Sequence, residues 1–141
     1  MSRIFLDSNI FIYLIEDRGA LGKQAGELLE RLSLRHDEVI TSVLTLGEVL
    51  TKPIRENRND LADRYEQALS SPGMEIVAFD RGAARAYARI RQDKTIKAPD
   101  AIQLAVAAAS RCDLFVTNDQ RLSKKVVPGI QFITALEHVP I

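Results

Sequence analysis

Residues 4–10 read Ile4-Phe5-Leu6-Asp7-Ser8-Asn9-Ile10, an apolar run that stops at an acidic residue. Three successive apolar side chains predict a short buried strand, which ends at Asp7. The following residues, 8–16, are apolar nearly all round a helical wheel, and this predicts a helix that is buried or lies at an interface. A buried strand followed at once by such a helix is the first unit of an alternating α/β pattern.

The rest of the chain continues this alternation. Amphipathic spacing predicts helices over 21–35, 61–69, 81–91 and 100–110. A further helix is predicted to begin at a cap, Ser42, and to stop at Pro53. Short apolar runs predict further strands over 38–41, 74–79, 114–117 and 130–133. The pattern therefore predicts one α/β domain over residues 1–141, a three-layer sandwich in which helices flank a five-stranded parallel sheet.

Composition limits the classes of protein to consider. The chain has 46% hydrophobic residues, and its 19 basic and 19 acidic residues cancel, which argues against a histone-like nucleic-acid binder. Cys112 is the only cysteine, so we expect neither a disulfide framework nor a cysteine metal site. No apolar stretch approaches the roughly 20 residues of a membrane span. Asp7 and Glu16 interrupt the first apolar stretch, so we expect no signal peptide and a cytoplasmic protein without membrane segments.

Two acidic residues lie at the ends of predicted strands. Asp7 closes the first strand, and Asp119 comes just after the fourth in Thr117-Asn118-Asp119. Ligands of open α/β sheets bind beyond the carboxyl ends of the strands, where the strand order reverses. Asp7 and Asp119 would face each other there if the first and fourth strands flank that point. The structural alternative for Asp7 is a helix cap that accepts hydrogen bonds from the backbone of Asn9 or Ile10.

Two further acidic residues lie on predicted helices. Asp100 is in the first turn of a very apolar helix and shares its narrow polar stripe with Gln103. It could serve a site, or it could simply interact favourably with the helix dipole. Glu48 lies opposite the apolar side of its helix and could face either a cleft or water.

Four segments, in this order, resemble the PIN domain family and more narrowly its VapC-type toxin ribonucleases. They are Leu6-Asp7-Ser8-Asn9-Ile10, Thr45-Leu46-Gly47-Glu48-Val49, Pro99-Asp100-Ala101-Ile102-Gln103-Leu104-Ala105 and Thr117-Asn118-Asp119. The resemblance implies a sheet with adjacent first and fourth strands. It also implies one pocket in which Asp7, Glu48, Asp100 and Asp119 bind Mg²⁺ or Mn²⁺, supported by Asn9 and Thr117. Ser8 and Leu122 depart from the usual threonine and aromatic residue, but neither change removes a ligand.

The activity that this resemblance implies is metal-dependent endoribonuclease cleavage of RNA. Oxygen ligands without His or Cys favour Mg²⁺ or Mn²⁺, which would activate a water molecule and neutralise charge on the phosphate. We assign Asp7, Asp100 and Asp119 as the main ligands. Glu48 would be a ligand through water or the acceptor of the proton of the nucleophile. The resemblance also implies a homodimer and a small VapB-like antitoxin, with the apolar segments 10–15 and 43–50 as contact surfaces if they are not core.

Basic residues beside two of the acids are candidates for RNA contacts. Lys97 precedes Asp100, and Arg121 and Lys124 follow Asp119. The main alternative function is an inactive PIN fold that binds RNA or protein. A phosphoacceptor receiver domain and a haloacid-dehalogenase-type phosphatase both require a second acid close to Asp7, and this sequence lacks it.

Overall fold

The computed structural model describes residues 1–141 and contains one parallel sheet of five strands. The strands are β1 (Arg3–Leu6), β2 (Glu38–Ser42), β3 (Met74–Val77), β4 (Leu114–Val116) and β5 (Phe132–Thr134). Their order is β3-β2-β1-β4-β5, and every neighbouring pair is parallel. The predicted five-stranded parallel sheet is confirmed, and so is the adjacency of the first and fourth strands.

Seven α-helices and one short 3₁₀ helix, Leu136–His138, accompany the sheet. The α-helices are α1 (Ser8–Glu16), α2 (Ala20–Leu34), α3 (Val43–Arg55), α4 (Asn59–Leu69), α5 (Arg81–Ile90), α6 (Ala98–Ala109) and α7 (Gln120–Ser123). None of these helices combines the length and apolarity needed to span a membrane.

Helices cover both faces of the sheet. Alternate strand residues point to opposite faces, so Ile4 and Leu6 pack with the buried side chains of α1 to α4. Phe5, between them, points to the other face and stacks on Phe115 with ring centroids 4.9 Å apart. Helices α5 and α6 complete that second core. The predicted three-layer sandwich is therefore confirmed.

Several predicted boundaries were wrong by one or two residues. Helices α4 and α6 each begin two residues before the predicted start. Helix α3 does not stop at Pro53 but continues to Arg55, because a proline in the last turn removes only its own N–H and this one packs in a buried position. Strand β3 ends at Val77, two residues before the predicted end. Strand β5 begins at Phe132, because the turn at Gly129, with φ of 96°, delays its entry into the sheet.

The topology determines where a site can form. Because all five strands run in the same direction, their carboxyl ends lie along one edge of the sheet. Strand order reverses between β1 and β4, so the residues that follow these two strands flank the crevice where α/β sheets bind ligands. Asp7 follows β1 and Thr117 follows β4.

Candidate functional site

Asp7 links the ends of the two central strands. The residue is only 6% exposed. One carboxylate oxygen accepts a hydrogen bond from the backbone N–H of Ser8 at 2.8 Å, and the other accepts one from the Thr117 hydroxyl at 2.7 Å. The alternative cap bonds from Asn9 or Ile10 are not formed by this side chain. Asp7 therefore bridges β1 to the end of β4 rather than only capping α1.

The ionisation of Asp7 is strongly perturbed. Burial raises the pKa of this carboxyl from 3.8 to about 6, although the hydrogen bonds from Thr117 and Ser8 act to lower it. The charges of Glu48 and Asp100 raise it further. A buried carboxyl that is costly to ionise, next to other acids, is typical of functional sites because a cation can relieve that cost.

The two polar residues expected to support the acids are at this site. The Thr117 hydroxyl, which donates to Asp7, accepts hydrogen bonds from Asn9 Nδ2 at 3.3 Å and from the backbone N–H of Asp119 at 3.1 Å. The Asn9 carbonyl oxygen accepts from the backbone N–H of Asn118 at 3.3 Å. Asn9 therefore acts on the carboxylates through Thr117 and the β4–α7 segment, and it does not contact them directly.

Glu48 is oriented by a buried glutamine on a different helix. Gln103 on α6 is 2% exposed, and its Nε2 donates to Glu48 Oε1 at 2.8 Å and to Thr45 Oγ1 at 2.9 Å. The Gln103 carbonyl oxygen accepts from the Ser42 hydroxyl. Although Glu48 as a whole is exposed, loss of hydration at its carboxyl raises its pKa, the bond from Gln103 lowers it, and the charge of Asp100 raises it. Glu48 thus faces α6 and its acid, not open solvent alone.

Asp100 lies in the first turn of α6, where it is half-buried. Loss of hydration raises its pKa, and so does the charge of Asp119. The cations of Arg121 and Lys97 act in the opposite direction. Asp100 therefore lies between the other acids and two basic side chains.

Asp119 caps the short helix α7, and its carboxylate is held chiefly by Arg121. Its Oδ1 accepts from the backbone N–H of Arg121 at 3.0 Å and from Arg121 Nε at 3.2 Å, and its Oδ2 accepts from Arg121 Nη2 at 3.0 Å. These bonds lower the pKa of Asp119, chiefly the one from the arginine side chain. Asp119 is thus ionised and paired with a cation from its own chain.

The four candidate ligands come from four separate segments and meet at one edge of the sheet. The charges of Glu48 and Asp100 act on Asp7, that of Asp100 acts on Glu48, and that of Asp119 acts on Asp100. No three acidic, histidine or cysteine side chains lie close enough together to hold an ion as they stand. The acids are therefore electrostatically coupled, but they do not form a closed cage.

The predicted basic residues divide into two groups. Lys97, at the start of α6, and Arg121 are close enough to act on Asp100. Lys124 is exposed and is not among the charges that act most strongly on Asp100 or Asp119. Lys97 and Arg121 thus border the acids, whereas Lys124 lies further along the same surface segment.

The sequence interpretation did not identify two residues of this site. Gln103 was expected only as part of a polar stripe, and Ser42 only as a cap of α3, which it is, accepting from the backbone N–H of Thr45 at 3.2 Å. The available signal was a glutamine in a very apolar helix, since a buried amide requires partners. Those partners lie 55 to 61 residues away, so sequence spacing could not name them.

The model of the PIN domain family matches residues 4–127 of the chain. Among solved structures, VapBC2 from Rickettsia felis bound to a promoter DNA fragment superimposes with a TM-score of 0.77 at 19% identity, covering 94% of this chain and 98% of that one. A toxin–antitoxin complex from Klebsiella pneumoniae gives a TM-score of 0.67 at 25% identity, covering 90% and 94%. A sarcin-ricin loop cleaving VapC toxin from Mycobacterium tuberculosis gives 0.65 at 19%, covering 87% and 96%. No curated protein sequence matches the chain significantly.

Proposed function

The chain belongs to the PIN domain family, and we propose that it is a metal-dependent endoribonuclease, the toxin of a VapBC-type toxin–antitoxin pair. The observation that carries this proposal is the convergence of Asp7, Glu48, Asp100 and Asp119 at the β1–β4 edge, with Asp7 buried and its pKa raised to about 6. Buried and half-buried carboxylates that lie close together destabilise a fold, because each negative charge raises the free energy of ionising its neighbour. Their convergence is therefore better explained by function than by stability.

The donor set suits Mg²⁺ or Mn²⁺. Every candidate ligand is a carboxylate, and the only cysteine, Cys112, is buried in the core formed with α5 and α6. Hard oxygen ligands favour these cations over zinc or copper. When bound, the ion would neutralise charge on the scissile phosphate and lower the pKa of a water molecule.

Each residue then has a distinct role. Asp7, Asp100 and Asp119 are the main ligands. Thr117 fixes the rotamer of Asp7 through its hydroxyl, and Asn9 fixes Thr117. Glu48 has a raised pKa and is held by the neutral Gln103 amide, which suits a ligand through water or the acceptor of a proton from the attacking water.

RNA contact would come from the basic residues beside the acids. Lys97 and Arg121 act on Asp100, so a phosphate held near the acids would lie within their reach. Lys124 is exposed on the same segment as Arg121 and would contact phosphates further along the strand. An enzyme of this kind acts on cellular RNA, and we accordingly propose a cytoplasmic location.

Cleavage of defined RNAs tests the proposed activity. We expect the protein to cut RNA internally with Mg²⁺ or Mn²⁺ and to lose that activity in EDTA. Asp7→Asn should abolish cleavage, whereas Asp63→Asn, a change at an exposed acid of α4, should not. A folded, metal-loaded protein that cuts no RNA would instead favour the inactive binding module. Cleavage undiminished by EDTA would refute the metal requirement.

The proposed protein partners are a second copy and a small VapB-like antitoxin. Support comes from the toxin–antitoxin complexes among the structural neighbours and from exposed apolar side chains at Ile12, Val43 and Ile54 on α1 and α3. Light scattering of the purified chain should give the mass of a dimer, and Val43→Asp should reduce it if α3 forms the contact. A monomeric mass at all concentrations would refute the dimer.

A further inference from the structure

We propose that Arg121 is an internal counterion of Asp119 that a metal ion must displace, so that this side chain limits how tightly the site binds its cation. The inference rests on the proposed metal-dependent function. It concerns the regulation of that site, and it gives Arg121 a role beyond the RNA contact expected from the sequence.

The geometry of the pair is the first argument. Arg121 engages both carboxylate oxygens of Asp119 with Nε and Nη2, at 3.2 and 3.0 Å, and its own backbone N–H adds a third bond. This is the two-point arrangement in which a guanidinium matches a carboxylate best. A cation that uses Asp119 as a ligand must compete with these side-chain bonds for the same lone pairs.

The arrangement of the other acids is the second argument. Asp7 and Glu48 are held by neutral donors, the Thr117 hydroxyl and the Gln103 amide, and no cation bonds to either carboxylate. Asp119 alone among the four is tied to a positive charge. Among these acids, Asp119 is thus the one whose oxygens a metal ion could reach only by breaking bonds to a cation.

The electrostatics of Asp100 are the third argument. Arg121 counteracts the effect of Asp119 on Asp100, which means that the guanidinium offsets repulsion between two candidate ligands. Arg121 thus does in the metal-free protein part of what the metal would do. The guanidinium side chain is 64% exposed, so it can swing into solvent or toward an RNA phosphate when Asp119 changes partner.

Direct measurement of Mn²⁺ affinity tests the inference without any activity assay. Mn²⁺ would be titrated at low ionic strength, without RNA, and free Mn²⁺ would be followed by electron paramagnetic resonance. Partly exposed pairs contribute modest free energies, so we expect Arg121→Gln to bind Mn²⁺ about two- to fivefold more tightly than the wild type. Thermal melts would confirm that the variant is folded.

Lys124→Gln is the matched control, because it removes the same charge from the same segment without touching the acids. Lys124→Gln should leave the Mn²⁺ affinity unchanged. If it raises the affinity as much as Arg121→Gln does, net charge alone explains the effect and the inference is refuted. In an Asp119→Asn background, Arg121→Gln should have little effect, since the pair is already broken. Affinity in Arg121→Gln equal to or weaker than the wild type would overturn the proposal.

The two proposals fail in different ways. If the wild type binds Mn²⁺ and Asp7→Asn does not, the proposed metal site is supported. The role of Arg121 then depends on the Mn²⁺ affinity of Arg121→Gln relative to the wild type. If neither the wild type nor Arg121→Gln binds Mn²⁺ at millimolar concentration, both the metal-dependent function and this inference are refuted. Binding by Arg121→Gln but not by the wild type would support both.

Discussion

Replacing Asp7 with asparagine should change stability in opposite directions at low and high pH. The folded protein holds the pKa of Asp7 at about 6, against 3.8 for an ordinary aspartate. Between these values the folded state keeps a proton that the unfolded state has released. The free energy of unfolding of the wild type therefore falls as pH rises through this window. This rise in the pKa of Asp7 corresponds to about 3 kcal/mol of stability lost between low and high pH.

The substitution also has a cost that does not depend on pH. Asp7 accepts from two donors, the Ser8 N–H and the Thr117 hydroxyl. An asparagine can offer its oxygen to only one of them and turns its NH₂ group toward the other. We expect this mismatch to cost about 1–2 kcal/mol. Asp7→Asn should therefore be more stable than the wild type by about 1–2 kcal/mol at pH 8 and less stable by a similar amount near pH 4.

Urea unfolding of the two proteins in EDTA, from pH 4 to pH 8, measures this difference. For a chain of this length, 1 kcal/mol corresponds to about 3 °C in Tm, so thermal melts give an independent reading. Asp63→Asn, an exposed acid on α4, serves as the control and should show no reversal. If Asp7→Asn is less stable by the same amount at every pH, then Asp7 is a structural cap and the reasoning about its desolvation is wrong.

Three other changes test separate parts of the structure. Gln103→Leu should lower the free energy of unfolding, measured in urea, by about 1–3 kcal/mol, since the buried hydroxyls of Ser42 and Thr45 lose their partner. The same change should slow RNA cleavage at saturating RNA more than it raises KM. An unchanged cleavage rate would exclude a positioning role for Gln103. Thr117→Val should raise the pKa of Asp7 further, because the variant lacks the hydrogen bond that lowers it in the wild type. More of the Asp7 carboxyl is then protonated at pH 6, so Mn²⁺ affinity should fall more at pH 6 than at pH 8. Equal losses of affinity at both pH values would contradict this. Gly22→Ala should lower the Tm strongly, because its Cβ would lie 1.8 Å from the Asp17 carbonyl oxygen at the start of α2. Gly26→Ala is the control: its Cβ has no neighbour within 4 Å, so the free energy of unfolding should rise by up to about 1 kcal/mol. Similar Tm values for the two variants would refute the clash.

Much of the fold could be predicted from local pattern. Apolar runs identified all five strands, and the near-continuous apolar face of residues 8–16 identified α1 with its observed bounds. The errors came where tertiary packing overrode a local signal. Pro53 was expected to stop α3, but one lost hydrogen bond in a last turn is offset by burial of the ring. The short helix α7 was not predicted, because four residues carry too little periodicity.

The candidate site was predictable to a lesser extent. Asp7 and Asp119 follow strands, so their position could be inferred from the general geometry of α/β sheets. Asp100 and Glu48 were ambiguous, since a helix face looks the same whether it meets water or a neighbouring acid. Family resemblance, rather than spacing, joined Glu48 to the others. Its metal-binding role is still a prediction.

The sequence by itself determined the alternation of strands and helices, the order of the acidic motifs and the scarcity of competing ligands, with two histidines and one cysteine in the chain. These features depend on neighbours within a few residues, which the chain order records directly. Only the tertiary structure decided that Gln103 holds Glu48, that Thr117 holds Asp7 and that Arg121 pairs with Asp119. Even that last pair, two residues apart, depends on the rotamers that α7 and the sheet edge impose. Burial, and with it the raised pKa of Asp7, exists only when both central strands and their helices are assembled.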